Sequence, residues 1–169
     1  MVEITYQMVL STLQTLGILV GIYYYIMTIR ANQRNQELAL ESRQVATYIQ
    51  TLGFRDKDFM KAWADIENQE YTDFADYESK YDYDVDVESW SSFFSVCNLY
   101  HSVGYLVDRG ILTPEIVYDQ EGDMVIRAWE TQKMVIEGVR VRGGYLHLFD
   151  HYESLYEHMI RLRDQELNP

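Results

Sequence analysis

The sequence is poor in the residues that most often mark a chemistry. It has one cysteine, two prolines, and 14 Lys and Arg against 27 Asp and Glu in 169 residues. With Cys97 alone, no intrachain disulfide can form and a closed zinc centre built mainly of thiolates is excluded. The net charge of -13 argues against nucleic acid as a partner, because phosphate binding needs clustered bases. There is no H-E-x-x-H, no phosphate-loop lysine and no Cys-His-Asn set. The sequence therefore offers no catalytic residue, no cofactor-binding residue, no small-molecule substrate and no cofactor, and the expectation is a non-enzyme. Few prolines and nine glycines against fifteen tyrosines point to long helices with few breaks.

Charge is also missing locally. Ile4 to Ile29 contains no Asp, Glu, Lys or Arg. As a helix rising about 1.5 Å per residue, 26 residues exceed the roughly 30 Å of a bilayer core. Tyr23, Tyr24 and Tyr25 sit near one end, where an aromatic belt would lie. No base precedes the run and no A-x-A-like site follows it, so an uncleaved transmembrane anchor is expected rather than a signal peptide. Arg30, Arg34 and Arg43 follow the span, which places the N-terminus outside and the bulk of the chain in the cytoplasm, at the cell membrane. Within the span, Gln7, Ser11, Gln14, Gly17 and Gly21 recur at spacings of three and four and share one helical face. Gly17 and Gly21 form a small-xxx-small pair that lets two backbones approach. That face is a candidate for pairing with a second copy or another protein, and the lipid bilayer is the other expected partner.

Past Arg30 the pattern is helical. No Pro or Gly occurs before Gly53, a natural stop for a rod running to Leu52. A helix starting near Asp56 or Asp58 carries Phe59, Trp63 and Ile66 on one face. Thr72 or Asp73 can cap a short helix bearing Phe74, Tyr77 and Tyr81. Trp90 to Val107 is apolar on nearly all sides, as in the central helix of a bundle, and Gly110 closes it. Thr113-Pro114-Glu115 starts a short helix stopping at Gly122, and Asp123 can cap the next, up to Gly143-Gly144. A last helix is expected from about Tyr145 to Gln165, with Leu148, Tyr152, Leu155, Met159 and Leu162 as its seam. The expected fold is all-α: one transmembrane helix over about 4–29 in an anchor of residues 1–30, a juxtamembrane helix over 31–54, and an acidic cytoplasmic bundle over 55–169. The bundle itself would hold about five to six helices.

Two constellations invite a chemical reading. Between Asp65 and Glu88 there are ten acids and one base, Lys80, so this stretch holds most of the charge. Asp82, Asp84, Asp86 and Glu88 alternate as at the start of a calcium loop, but Val87 and Phe93 occupy the positions where that loop needs its glycine and closing carboxylate. Asp73, Asp76, Asp82, Asp84, Asp86 and Glu88 are better read as a docking surface for a basic partner or as a solvated loop, with Tyr71, Tyr77, Tyr81 and Tyr83 interleaved. On the last helix, His147, Asp150 and His151 fall at i, i+3 and i+4, a spacing that can hold a metal, and His158 follows on the same side. The simpler reading makes them residues at the edge of the seam, with no metal site. His101, inside the apolar helix, is expected to be a hydrogen-bonded core histidine, and Cys97 an inert buried thiol.

The run of Phe59-Met60-Lys61-Ala62-Trp63, Phe93-Phe94, Gly104-Tyr105-Leu106-Val107-Asp108-Arg109-Gly110-Ile111-Leu112 and Glu115-Ile116-Val117-Tyr118-Asp119 resembles a prokaryotic family of small membrane-anchored helical proteins catalogued as a domain of unknown function. Ile126-Arg127-Ala128-Trp129, Val135-Ile136-Glu137 and Leu148-Phe149-Asp150-His151-Tyr152 continue the same order. The resemblance implies an anchor followed by a helical bundle and carries no activity. The expected function is a membrane-anchored, non-enzymatic interaction module: a scaffold, regulator or accessory subunit. The alternative is a metal-dependent enzyme or sensor using His147, Asp150 and His151 or the Asp82–Glu88 acids.

Overall fold

The computed structural model describes residues 6–52 and 57–168, all of its regular structure helical. Six helices follow in order: α1 (Tyr6–Leu52), α2 (Lys57–Glu67), α3 (Phe74–Tyr81), α4 (Val87–Asp108), α5 (Pro114–Gly143) and α6 (Asp150–Leu167). Gly53 and Asp56, expected as a helix stop and a helix start, lie outside the described residues, as does the first end of the uncharged run at Glu3 and Ile4. The chain divides into two compact units, Met1–Arg43 and Gln44–Pro169.

In the first unit every described residue is exposed. Leu16, Ile18, Leu19, Val20 and Ile22 all present their side chains to the surroundings. Within the apolar stretch the Ser and Thr hydroxyls bond back to the helix. Thr12 donates to the Met8 carbonyl at 2.8 Å, Thr15 to Ser11 at 2.9 Å and Thr28 to Tyr24 at 2.9 Å. Folding these hydroxyls back onto carbonyls satisfies them without water, which suits an apolar medium. α1 is long and apolar enough to cross a membrane.

The second unit is built on α4, which packs against α2, α3, α5 and α6. Asp86 caps it, accepting from the Glu88 and Ser89 amides at 3.1 Å, and Gly110 takes the left-handed conformation just beyond its end (φ 66°). Phe93, Val96, Cys97, Tyr100 and Val103 are almost wholly removed from solvent, as the all-round apolar pattern predicts. Trp63 of α2 meets Tyr100 edge-on, with ring centroids 6.0 Å apart, and Tyr152 of α6 stacks on the same ring at 5.2 Å. Trp129 of α5 closes on Tyr152 at 4.9 Å. Trp63 and Trp129 are buried, and Trp90 is half-buried against Phe93 and Phe94.

The expected break between two helices at Gly122 falls one residue earlier, at Glu121, whose non-helical backbone (φ -155°, ψ 24°) divides Pro114–Gly143 into two helical pieces. Glu121 is buried, and its carboxylate accepts the hydroxyl of Tyr48, itself buried. Tyr48→Phe removes that donor from a buried acid, which costs about 1–3 kcal/mol. The expected result is an unfolding free energy lower by that amount, read as a lower denaturant midpoint at unchanged slope. The last helix starts at Asp150 rather than near Tyr145. Residues 145–149 form turns instead, because Phe149 adopts a left-handed conformation (φ 60°) that a continuing helix cannot contain. Tyr152, Leu155 and Met159 still form the buried seam.

Candidate functional site

Phe149 is where the site begins. A left-handed conformation costs a bulky residue on the order of 1–2 kcal/mol. Aromatic packing holds it: the Phe149 ring lies edge-on to Phe93 at 6.2 Å, Phe94 at 5.5 Å and His101 at 6.0 Å. The turn it makes delivers Asp150 and His151, the first residues of α6, against α4.

There α4 offers a stripe of four residues at i, i+3, i+4 and i+7: His101, Gly104, Tyr105 and Asp108. Gly104 permits the contact. A Cβ at that position would stand 2.0 Å from the carbonyl oxygen of His151. Asp108 holds His151 from the side, its Oδ2 2.5 Å from Nδ1. A carboxylate only accepts, so Nδ1 is the donor in this contact, which in the neutral ring leaves the lone pair on Nε2. Asp108 is fixed in turn by Ser154, whose hydroxyl donates to Oδ1 at 2.8 Å. His101 and His151 stand with ring centroids 5.0 Å apart, and Tyr105 lies edge-on to His151 at 5.3 Å. One donor atom each from His101, Asp150 and His151 falls within 4.8 Å of the other two, and no second such group of His, Cys, Asp or Glu occurs among the described residues. Burial lowers the His101 pKa below the ordinary imidazole value, helped by the neighbouring His151 and opposed by Asp150 and Asp108. Its Nδ1 is shielded from solvent and has no hydrogen-bond partner among the described residues.

Asp150 and His151 thus meet His101 of α4. His147 stands 91% exposed on the preceding turn, 3.8 Å from an Asp150 oxygen, and His158 lies 3.1 Å from Arg161. His101 was legible as a helix histidine, and its part in a cluster was not. The signal was the stripe of His101, Gly104, Tyr105 and Asp108, which only gains meaning once α6 is laid across it. Cys97 is buried against Gln132, 2.9 Å from its side-chain oxygen, and burial pushes its thiol pKa well up. It is not poised as a nucleophile.

The acidic segment is organised from within. Asp73 caps α3 by accepting from the Asp76 amide at 2.9 Å. Asp76 pairs with Lys80 at 2.9 Å, which with the Thr72 amide lowers its pKa. Arg142 of α5 takes Asp82 in a fork, at 2.7 and 3.2 Å, and reaches Glu78 at 2.7 Å. The same guanidinium lies 5.7 Å from the Phe74 ring and 5.6 Å from Trp90. Asp86 is the α4 cap, and Glu88 pairs with Lys61. Asp84 and Tyr83 are exposed, whereas Tyr77 is wholly buried and meets Tyr71 at 5.1 Å and Tyr81 at 5.6 Å. In the first unit, Gly17 and Gly21 of α1 face open space: an added Cβ would meet nothing within 4 Å at either. Gln7, Ser11 and Gln14 are exposed on the same helix.

Among the described residues, an exposed apolar helical stretch and a helical unit carrying most of the acids define the class, all-α with one candidate membrane-spanning helix. The chain belongs to the family described as Domain of unknown function (DUF4760), which matches residues 11–159. The match begins inside the apolar stretch, so much of that stretch, Gly17 and Gly21 included, is part of the domain. No curated protein and no solved structure matches the chain.

Proposed function

We propose that this chain is a membrane-anchored, non-enzymatic interaction module, a scaffold, regulator or accessory subunit. In this reading the uncharged run over about residues 4–29 spans the cell membrane with the N-terminus outside, and Arg30, Arg34 and Arg43 hold the remainder on the cytoplasmic side. The observation that carries the reading is the apolar stretch of α1: apolar side chains exposed all round, Ser and Thr hydroxyls bonded to their own backbone, and open space over Gly17 and Gly21. Such a helix is stable in lipid and bare in water. The Gln7, Ser11, Gln14, Gly17 and Gly21 face is the proposed pairing surface, for a second copy or another membrane protein. A basic partner would meet the acidic unit at the exposed tip around Asp84, where the carboxylate is not engaged in a cap or ion pair among the described residues.

The test is isolation of the chain from membranes in mild detergent, compared with Gly17→Leu plus Gly21→Leu. The expected result is an integral membrane protein that carries a partner or a second copy, reduced to monomer in the double variant without loss of membrane retention. Release by carbonate extraction, or a wild-type chain that is always monomeric, would overturn the reading.

A further inference from the structure

We propose that His101, Asp150 and His151 form a binding site for a divalent transition-metal ion, with Asp108 positioning His151. The site joins the C-terminal half of α4 to the first turn of α6 and does not depend on the function proposed above.

Two imidazoles and one carboxylate are borderline donors that suit zinc and its neighbours, and poorly suit calcium or magnesium, which take oxygen. Donor atoms in a tetrahedral shell with bonds of about 2.0–2.1 Å sit about 3.3 Å apart. The three donors lie within 4.8 Å of one another, so side-chain rotations of roughly an ångström close the shell without moving either helix. Three protein ligands leave at least one position for water or another donor.

A chance meeting of side chains does not account for the surroundings. Metal-bound histidines commonly donate their second ring nitrogen to a carboxylate, which fixes the tautomer and aims the lone pair at the ion. Asp108 and His151 have that relation at 2.5 Å, and Ser154 holds the carboxylate at 2.8 Å. Unpartnered buried nitrogens are uncommon and call for a partner such as an ion. His101 presents one, Nδ1, beside the cluster. The start of α6 carries partial positive charge that opposes a cation, but Asp150 and Asp108 both stand there to offset it. Asp150 is exposed and both histidines are half-exposed, so an ion can enter.

The experiment uses the untagged full-length chain in detergent, stripped with chelator and titrated with Zn²⁺ by equilibrium dialysis at pH 7.5. The expected result is one high-affinity Zn²⁺ per chain. His151→Ala and Asp150→Asn should weaken it at least about 100-fold, and Asp108→Asn about 10- to 100-fold, the effect typical of an outer-shell partner. His147→Ala should leave affinity unchanged. Co²⁺ should give visible ligand-field bands that His101→Ala removes. Circular dichroism of the stripped variants checks the fold, and if the alanine variants lose helix, the volume-conserving Asp108→Asn and Asp150→Asn decide. No stoichiometric Zn²⁺, or binding that survives Asp150→Asn and His151→Ala, or equal loss in His147→Ala, would overturn the proposal.

Discussion

Gly104→Ala is expected to destabilise the chain by about 1–3 kcal/mol, the usual cost of overpacking a filled interior. The sign makes the test sharp, because two effects oppose each other. In an ordinary helix interior, replacing Gly with Ala stabilises by about 1 kcal/mol. Gly104 sits well inside α4 and would gain that much if nothing lay across it. What lies across it is backbone: the His151 carbonyl oxygen at 2.0 Å and carbon at 2.6 Å from an added Cβ, and the Leu155 Cβ at 3.2 Å. A backbone carbonyl cannot rotate aside like a side-chain tip. Relief requires the start of α6 to lift, and the conformation of Phe149 is already tied to Phe93, Phe94 and His101. Gly104→Val, with two more methyls against the same carbonyl, should cost more. Denaturant unfolding checks both variants. A gain in stability for Gly104→Ala would mean that α4 and α6 do not approach this closely.

The same position shows what one sequence can and cannot carry. Period and caps gave α3 nearly to the residue and the C-terminal end of α4, since Asp73 and Gly110 mark those ends by local geometry that neighbouring residues impose, whereas α4 starts at Val87, three residues before the expected apolar run at Trp90. Trp63, Tyr100, Trp129 and Tyr152 were legible as core because large apolar side chains at helical spacing have few other places to go. The start of α6 was missed for a tertiary reason. Leu148 continues the 4-3-4-3 pattern in register, and only the packing of Phe149 on α4 breaks the helix before Asp150. The site failed to show for the same reason. His147, Asp150 and His151 looked like a set by local spacing, but the structure replaces His147 with His101, 49 residues from Asp150 along the chain. Asp76, Asp82 and Asp86 likewise could not be told from free surface acids until Lys80, Arg142 and the Ser89 amide were seen to hold them. Interhelix pairing carries information that no periodicity contains.

Trp129→Ala is expected to be the costliest single core truncation, at about 3–5 kcal/mol. Trp129 is 2% exposed, meets Tyr152 edge-on at 4.9 Å and stacks on Tyr156 at 5.8 Å. The hydroxyl of Tyr152 has no hydrogen-bond partner among the described residues, and ring packing runs along the column Trp129–Tyr152–Tyr100. Removing the indole leaves a cavity that those flat rings cannot close by relaxing, and a domain of this size has only about 5–15 kcal/mol in total. Trp129→Phe should recover part of the loss. The rings also predict coupling. Tyr152 touches α5 through Trp129 and α4 through Tyr100, and it sits one residue beyond the His151 carbonyl that crosses Gly104. Both variants therefore act by loosening the same turn of α6. The double variant Gly104→Ala plus Trp129→Ala should cost at least about 0.5 kcal/mol less than the two single costs combined, because α6 is displaced only once. Strict additivity would mean that α6 answers to α4 and α5 separately, and that the aromatic column does not transmit between them.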